Sequence, residues 1–575
     1  MKKLGSVILV LALVLGCVSG YAYETGSYEA AMFGHNGDVK IAVTFTGDAI
    51  ENIEIKEHAE TAGIGDVAML ALAEKIVKNQ TLGLDTVAGA TISSTAFLAA
   101  VEDCVKQAGG DVEALKVVAI GEVEKTQAER EAQILVVGAG VAGLTAAISA
   151  ADNGANVLVI EKMSMAGGTG SLAGGGFVMV DAPFYEGSEV DQSLERTLAY
   201  WHDVMNQGDA NPSYPDYKKL EDVLKDTGKT ALRLTEAGVA FGDNPFDLGY
   251  AMGIVQGGGA AMMTALEQSA RDKGVEILLN CKAEELIVDG DKVVGVKAVT
   301  ETEHLMVKAD RVILATGGFS KNPDMVAEYT PELTEVYSQA SVSSTGDGIR
   351  MAEAVGAGRF DNYWTATAAP MVDAGFAHDV PGASTLKTAT QLGVNAKGER
   401  FANEGAGYYS AVAFAMMKDA NYPFYFIYDA SNADLIDAME AGIQAGQVFK
   451  GETTQALAET AGMDGTIFAE TFARYNELAV NGADEDFGKA EANLIALAQA
   501  PYYAVKFNAT TFGSMGGVLT DANGAVLRQD GTAIENLYAA GEMSNRAFYN
   551  QYYIGGASLA IYTTMGFRAG EAAAK

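Results

Sequence analysis

Cysteine is nearly absent from this chain. Cys17, Cys104 and Cys281 are three in 575 residues, too few for a disulfide framework, a four-cysteine metal cluster or a C-x-x-C-H haem attachment. Histidine is almost as scarce: His35, His58, His202, His304 and His378 show no paired spacing of the kind that ligates a metal, so no metal site is assigned. Basic residues are the minority charge. Lys plus Arg total 39 against 75 Asp plus Glu, a net charge of −36, which works against a surface built to neutralise nucleic-acid phosphates. The acids are spread along a chain that is only 20% charged, the pattern of a folded acidic surface rather than a disordered tail. Long apolar runs are missing too, apart from Leu4 to Leu15 behind Lys2 and Lys3; no other stretch spans a bilayer without a glycine or a charge. What is present is core material, 49% hydrophobic, enough for about three or four domains of roughly 150 residues each.

The run from Leu4 to Leu15 has the length of a signal-peptide core and is too short to span a membrane. It ends Val14-Leu15-Gly16-Cys17, which resembles the bacterial lipobox, whose cysteine is lipidated and becomes the new N-terminus. Residues 1–17 are therefore read as a lipoprotein signal peptide, and the protein as lipid-anchored on the extracytoplasmic face of the bacterial cell membrane. A plain secretory signal cleaved nearby would lead to the same compartment.

From 24 to 115 the pattern is that of a small α+β domain. Strand-like alternation at Val39 to Phe45 and Ile50 to Ile55 precedes helical patterns at Val67 to Asn79 and Ser93 to Gln107, the second stopped by Gly109-Gly110. Between the helices lies Asp85-Thr86-Val87-Ala88-Gly89-Ala90-Thr91. It resembles the FMN-binding domain of bacterial respiratory flavoproteins, in which a flavin transferase joins the FMN phosphate to the threonine of D-x-x-(S/T)-G-A-T. The resemblance implies covalent FMN on Thr91, with Ala88 standing where Ser or Thr is usual. Read structurally, Thr91, Ser93 or Ser94 would N-cap the following helix, and a phosphate at a helix N-terminus is compatible with that. Residues 116–131, rich in charge, read as a linker.

The next segment is a complete βαβ fingerprint. Ile134 to Val137 is an apolar strand, Gly138-Ala139-Gly140-Val141-Ala142-Gly143 opens a helix, and a second strand, Val157 to Ile160, ends at Glu161 and Lys162. Gly138 suits the tight turn, Gly140 the approach of a pyrophosphate, Gly143 close helix packing and Glu161 a ribose hydroxyl. A glycine-rich path follows at Gly167-Gly168-Thr169, then Ala315-Thr316-Gly317-Gly318, Gly346-Asp347-Gly348, Ala540-Gly541-Glu542 and Gly555-Gly556-Ala557-Ser558-Leu559. Together these resemble the FAD-binding chain of the fumarate reductase and flavocytochrome c family, with urocanate reductases among its members. The resemblance implies a discontinuous Rossmann-type FAD-binding domain, 132–360 and 508–575, around an inserted α+β capping domain at 361–507. FAD contacts are implied for Gly138, Gly140, Ala142, Gly143, Glu161, Lys162, Gly167, Gly168, Thr169, Gly317, Gly318, Asp347, Glu542, Ser558 and Leu559. With no haem motif, FMN takes the haem's place, and electrons would run from a membrane donor in anaerobic respiration through FMN and FAD to a small-molecule substrate.

The resemblance breaks at the substrate. The family's Q-x-H-P stretch matches Ala366-Thr367-Ala368-Ala369, the histidine of H-T-M-G-G matches Gly513, and the arginine before the last glycine turn matches Tyr553. The proton-donating arginine, after Arg400-Phe401-Ala402-Asn403-Glu404, falls at Tyr408 beside Tyr409. A dianion buried without paired charge is costly, so the expected substrate is not a dicarboxylate but a bulky or aromatic enone or enoate. Tyr553 also resembles the tyrosine of ketosteroid dehydrogenases, distant FAD relatives that polarise a ketone with tyrosines. Tyr408 and Tyr553 are the candidate catalytic acids, weak acids like the arginine they replace; Trp364, Tyr409, Tyr552 and Arg546 are candidate pocket residues. Each aromatic has a packing reading as well, and Arg546 is either a monocarboxylate anchor or an ordinary surface arginine. Three functions stay open: an ene-reductase of a non-dicarboxylate, a urocanate-, fumarate- or cinnamate-type carboxylate reductase, and a diflavin electron carrier with no substrate of its own.

Overall fold

The computed structural model describes residues 23–60, 65–87, 90–118, 124–206, 210–333, 335–406 and 410–575. The signal peptide with Cys17, and Tyr408 with Tyr409, lie outside these residues. The chain divides into two compact units, one ending at Glu122 and the other running from Val123 to Lys575.

In the first unit, strands Gly26–Phe33, Asp38–Phe45 and Ile50–Glu57 form an antiparallel sheet in sequence order. The middle strand buries Val39, Ile41, Val43 and Phe45 against helices Gly65–Asn79 and Thr91–Gln107, which supply Met69, Leu72, Ile76, Phe97 and Val101. Both helices begin slightly earlier than their apolar periodicity suggests, and the strand Gly26–Phe33, half-buried on alternate residues, escaped the pattern altogether.

The second unit is built on an eight-stranded sheet. Thr126–Val137 sits at its centre, parallel to Glu303–Leu314 on one side and Val157–Ile160 on the other, with Glu276–Leu278 beyond. The expected linker is corrected here. Residues 126–131 are strand, because Glu303 to Lys308 pairs with them in register while their exposed charges keep to the surface. Helix Val141–Asp152, buried from Val141 to Ala150, packs between this sheet and the last helix, Ala557–Ala573.

A three-stranded sheet, Tyr337–Ser338, Thr510–Met515 and Trp364–Thr367, is where the chain departs and returns: Trp364 pairs with Met515, and Thr365 with Ser514. The excursion between builds a four-stranded antiparallel sheet, Leu392–Val394, Phe424–Asp429, Tyr502–Phe507 and Val448–Gly451. Its buried polar centre is a balanced charge group. Arg400 Nε and Nη2 donate to Glu404 at 2.9 Å each, Arg400 Nη1 and Nη2 to Asp484 at 3.0 and 2.8 Å, and Lys489 Nζ lies 3.2 Å from Glu404. Burial alone would raise the Asp484 pKa, but the Arg400 bonds together with the Lys489 and Phe487 backbone N–H groups outweigh it and bring it to about 2.

Candidate FAD site and the surrounding residues

The C-terminal ends of Thr126–Val137 and Val157–Ile160, with the start of helix Val141–Asp152, open onto a cavity completed by residues between Gly167 and Gly176, by Thr316, Gly317, Ser344 and Asp347, and by Phe512 to Ser514 with Ala540 to Glu542, Tyr553, Gly555, Gly556, Ser558 and Leu559. Of the residues expected to hold FAD, Gly138, Gly140, Ala142, Glu161, Lys162, Gly167, Gly168, Thr169, Gly317, Asp347, Glu542, Ser558 and Leu559 all line it. Two do not. A Cβ on Gly143 would stand 1.9 Å from the Gly138 carbonyl, and one on Gly318 about 2.0 Å from Ser514 Oγ; both glycines serve close packing behind the wall.

The cavity suits a dinucleotide. Gly140, the N-cap, has no side-chain cap, so the first-turn N–H groups of Val141–Asp152 face the cavity without a protein side chain on them. Its missing side chain leaves open space, the nearest atom to a Cβ being Gly167 O at 3.9 Å. Glu161 accepts the Ala139 N–H at 2.8 Å and the Met163 N–H at 2.9 Å. It thus holds the glycine loop as well as facing the cavity, and burial pushes its pKa up. Lys162 reaches Asp347 at 2.8 Å and Thr345 at 2.5 Å.

At the other end, Tyr553 lines the cavity beside Phe512, ring centroids 5.3 Å apart. Burial raises its pKa; hydrogen bonds with the Ser558 side chain and backbone, at the start of the last helix, partly offset this. Tyr562 shares the cluster: Asn545 Nδ2 donates to its hydroxyl at 2.7 Å. Glu542 was expected only as a cofactor contact. It is buried, accepting the Ser514 N–H at 2.8 Å and the Ser514 hydroxyl at 3.0 Å, and burial raises its pKa to about 7. A Cβ at Gly513 would lie 2.6 Å from its Oε1, so the glycine in the family's histidine position is what gives this carboxyl its place. Sequence reasoning missed this pairing, because neither residue signals the other along the chain.

The expected pocket residues divide differently. Trp364 lines a second cavity, on the other face of the three-stranded sheet, where its indole N–H donates to the Gln551 carbonyl at 3.2 Å. A register irregularity between Thr365 and Thr367 breaks the strand alternation, so Ala366 lines the FAD cavity while Trp364 and Thr365 both line the second one. Tyr552 is buried against Phe414, centroids 5.0 Å apart, outside the FAD cavity. Arg546 is neither an anchor nor a surface residue. It is 1% exposed, stacks 4.0 Å over the Tyr214 ring, and donates to the carbonyls of Asn362, Tyr549 and Asn550 and to Asn362 Oδ1. Burial pulls its pKa down to about 10. Four N–H groups spent on loop oxygens make it the brace of residues 546–550.

In the first unit, Thr91 opens helix Thr91–Gln107 and is exposed. The N-cap is Ala90, with no side-chain cap, which corrects the capping reading. Ser93 Oγ instead donates to buried Glu60, and Ser94 Oγ accepts the Val87 N–H at 3.1 Å. The helix start therefore presents an exposed hydroxyl beside uncapped N–H groups, an arrangement that fits a phosphate ester.

Residues 133–559 match the FAD binding domain family and residues 34–106 the FMN-binding domain family. The chain is 31% identical over 553 residues to a urocanate reductase of Eggerthella lenta, covering 92% of this chain and 89% of that one. Among solved structures, the open conformation of a flavocytochrome c3 fumarate reductase aligns with a TM-score of 0.62 at 27% identity, over 77% of this chain and 78% of that one. A 3-ketosteroid Δ4-(5α)-dehydrogenase from Rhodococcus jostii RHA1, in complex with 4-androstene-3,17-dione, aligns with a TM-score of 0.62 at 25% identity, over 79% and 100%. Two matched domains, a cavity that fits a dinucleotide and near full-length similarity to a urocanate reductase have one reading: the chain belongs to the FAD-dependent oxidoreductases of the fumarate reductase family, with an FMN-binding domain before the FAD-binding one, and its cofactors are FAD and FMN.

Proposed function

We propose that this protein is an extracytoplasmic, lipid-anchored ene-reductase. It passes electrons from a membrane donor through FMN on Thr91 and then FAD to a C=C bond conjugated to a carbonyl, in a bulky or aromatic substrate without two carboxylates. One observation carries the substrate class: among the described residues lining the FAD cavity the one cation is Lys162, and it is paired with Asp347. Arg546, which could have held a monocarboxylate, is committed to backbone oxygens. Near neutral pH the partly ionised Glu542 further disfavours an anion beside it.

Bound FAD supplies the hydride for the β-carbon. The chain's own part falls to Tyr553. Its raised pKa keeps the hydroxyl protonated at neutral pH, able to donate to a carbonyl oxygen where charge develops or to give a proton to the α-carbon. The Ser558 contacts fix that oxygen at the N-terminus of the last helix, where a partial positive charge favours the tyrosinate left behind. Phe512 and Ala366 add apolar wall.

The test is reoxidation of the chemically reduced, two-flavin protein by fumarate, urocanate, cinnamate-type acids, neutral enones and steroid enones. Neutral enones should reoxidise the flavin rapidly, and Tyr553→Phe should slow that step on the order of 10²-fold without loss of FAD. Rapid reoxidation by fumarate would refute the substrate class; silence across the panel would favour an electron carrier.

A further inference from the structure

Saturating one C=C bond consumes two protons along with two electrons, and the protons must reach the Tyr553 end of the cavity, where Phe512, Ala366 and the backbone of Gly513, Gly555 and Gly556 form the wall. The arginine that delivers them in fumarate-reducing relatives is missing from the matching stretch of this sequence. A different route is built into the three-stranded sheet. Ser514 lines both the FAD cavity and the second cavity on the far face, whose walls include Lys321, Val336, Trp364, Thr365 and Thr511. We propose that protons enter through this second cavity and pass by way of the Ser514 hydroxyl and the Glu542 carboxyl into the FAD cavity.

The hydrogen-bond inventory permits the relay. A hydroxyl has one proton to give and two acceptor positions. Ser514 Oγ donates to Glu542 Oε1 at 3.0 Å and accepts the Phe319 N–H at 3.1 Å, which leaves one acceptor position for a water in the second cavity. That cavity is open at its rim, where Pro323 is exposed and Tyr337 is 46% exposed, and hydroxyls break its apolar wall: those of Ser320 and Ser338 meet at 2.9 Å within it, and Thr330, Thr365 and Thr511 line it too, polar partners for ordered water. Glu542 lines the FAD cavity, in the space that Gly513 leaves. The titratable groups that act on it or feel it are Tyr553 and Tyr562. With its pKa raised to about 7 it can take and release a proton near neutrality.

In the transfer, a water gives a proton to Ser514 Oγ as that oxygen gives its own to a Glu542 carboxylate oxygen. One water O–H and one serine O–H break, a serine O–H and a carboxylic O–H form, and bulk solvent returns a proton to the hydroxide. The carboxylic proton then leaves into the FAD cavity, regenerating the carboxylate.

The inference rests on FAD occupying the glycine-lined cavity, not on the identity of the substrate, and its test contains no substrate. The holoenzyme is photoreduced in weak buffer with a pH-indicator dye, and proton uptake is timed. Infrared difference spectra time the carboxylic C=O band of Glu542, identified by its loss in Glu542→Gln. Every variant keeps the same FMN domain, so changes report the FAD-linked phase. Ser514→Ala should slow both signals on the order of 10²-fold with FAD content unchanged, and Ser514→Thr should restore them. Val336→Trp, which fills the second cavity while leaving Ser514 and Glu542 in place, should slow them too. Wild-type rates in Ser514→Ala and Val336→Trp would overturn the route; if Ser514→Ala loses its FAD, the Val336→Trp rate decides.

Discussion

Adding one methyl group at Gly140 or at Gly143 should give opposite defects from the same chemical change in the same loop. Gly143 lies in the first turn of Val141–Asp152, and an alanine Cβ there would sit 1.9 Å from the Gly138 carbonyl oxygen and 3.0 Å from its carbon. An ordinary contact needs about 3.5 Å, so helix and strand must part by roughly 1.5 Å. Overpacking of this kind costs about 1–3 kcal/mol, and backbone on both sides places Gly143→Ala near the upper end. Helix propensity returns about 1 kcal/mol, for a net loss near 2 kcal/mol. At Gly140 the backbone is extended, φ −81° and ψ −173°, and the nearest atom to a new Cβ is 3.9 Å away. A weaker N-cap is offset by about 0.4–1 kcal/mol of unfolded-state entropy, so Gly140→Ala should fold like the wild type. Its methyl would instead stand where the helix N–H groups meet a pyrophosphate, weakening charge-assisted hydrogen bonds worth about 1.5–3 kcal/mol and raising the FAD Kd about 10-fold to 150-fold. Urea unfolding of the deflavinated protein and FAD titration by flavin fluorescence separate the two. A Gly140→Ala protein with wild-type FAD affinity, or a Gly143→Ala protein of wild-type stability, would refute the reasoning.

Thr91→Ala should abolish covalent FMN, read as a missing adduct in the mass of the protein, while changing stability by less than about 0.5 kcal/mol, since the side chain is exposed. Because burial raises the Glu542 pKa from 4.5 to about 7, the folded state holds this proton more tightly than the unfolded one. Apoprotein stability should therefore fall as pH rises from about 4.5 to about 7, by about 3 kcal/mol in all, and Glu542→Gln should flatten that window in urea titrations at stepped pH. Arg400→Met leaves Glu404 and Asp484 facing only Lys489 and should destabilise the protein by about 3–5 kcal/mol in denaturant unfolding.

The dinucleotide half of the site was legible because its physics is local. A strand, a glycine turn and a helix within about 30 residues bring their own register and their own phosphate-binding N–H groups. The helix start at Thr91 was legible for the same reason, although that helix begins without the side-chain cap that the serines and threonines suggested. What sequence could not give was the direction of side chains across distant pairings. Trp364 and Ala366 are two residues apart and would share a face of a regular strand, yet the register irregularity between Thr365 and Thr367 sends them to different cavities. Arg546 looked available because its partners are carbonyl oxygens, which carry no signature in composition. The charged stretch before Gln133 looked like a linker because strand exposure and linker solvation select the same residues.

The last helix also bears on the order of events during synthesis. Gly566 and Gly570 let Ala557–Ala573 lie against Val141–Asp152 at backbone distance, and Ser149 donates to the Phe567 carbonyl across 418 positions of chain. Until residues 557–573 are made, the helix that opens the dinucleotide loop has one bare apolar face, and the wall holding Tyr553, Ser558 and Leu559 does not exist. An N-terminal fragment therefore holds FAD against one wall of the cavity only, and tight cofactor capture should fall to completed chains. The early βαβ unit must meanwhile wait with its hydrophobic surface uncovered, so free FAD supplied after synthesis should raise the yield of folded protein, whereas FAD present only while the chain is incomplete should not.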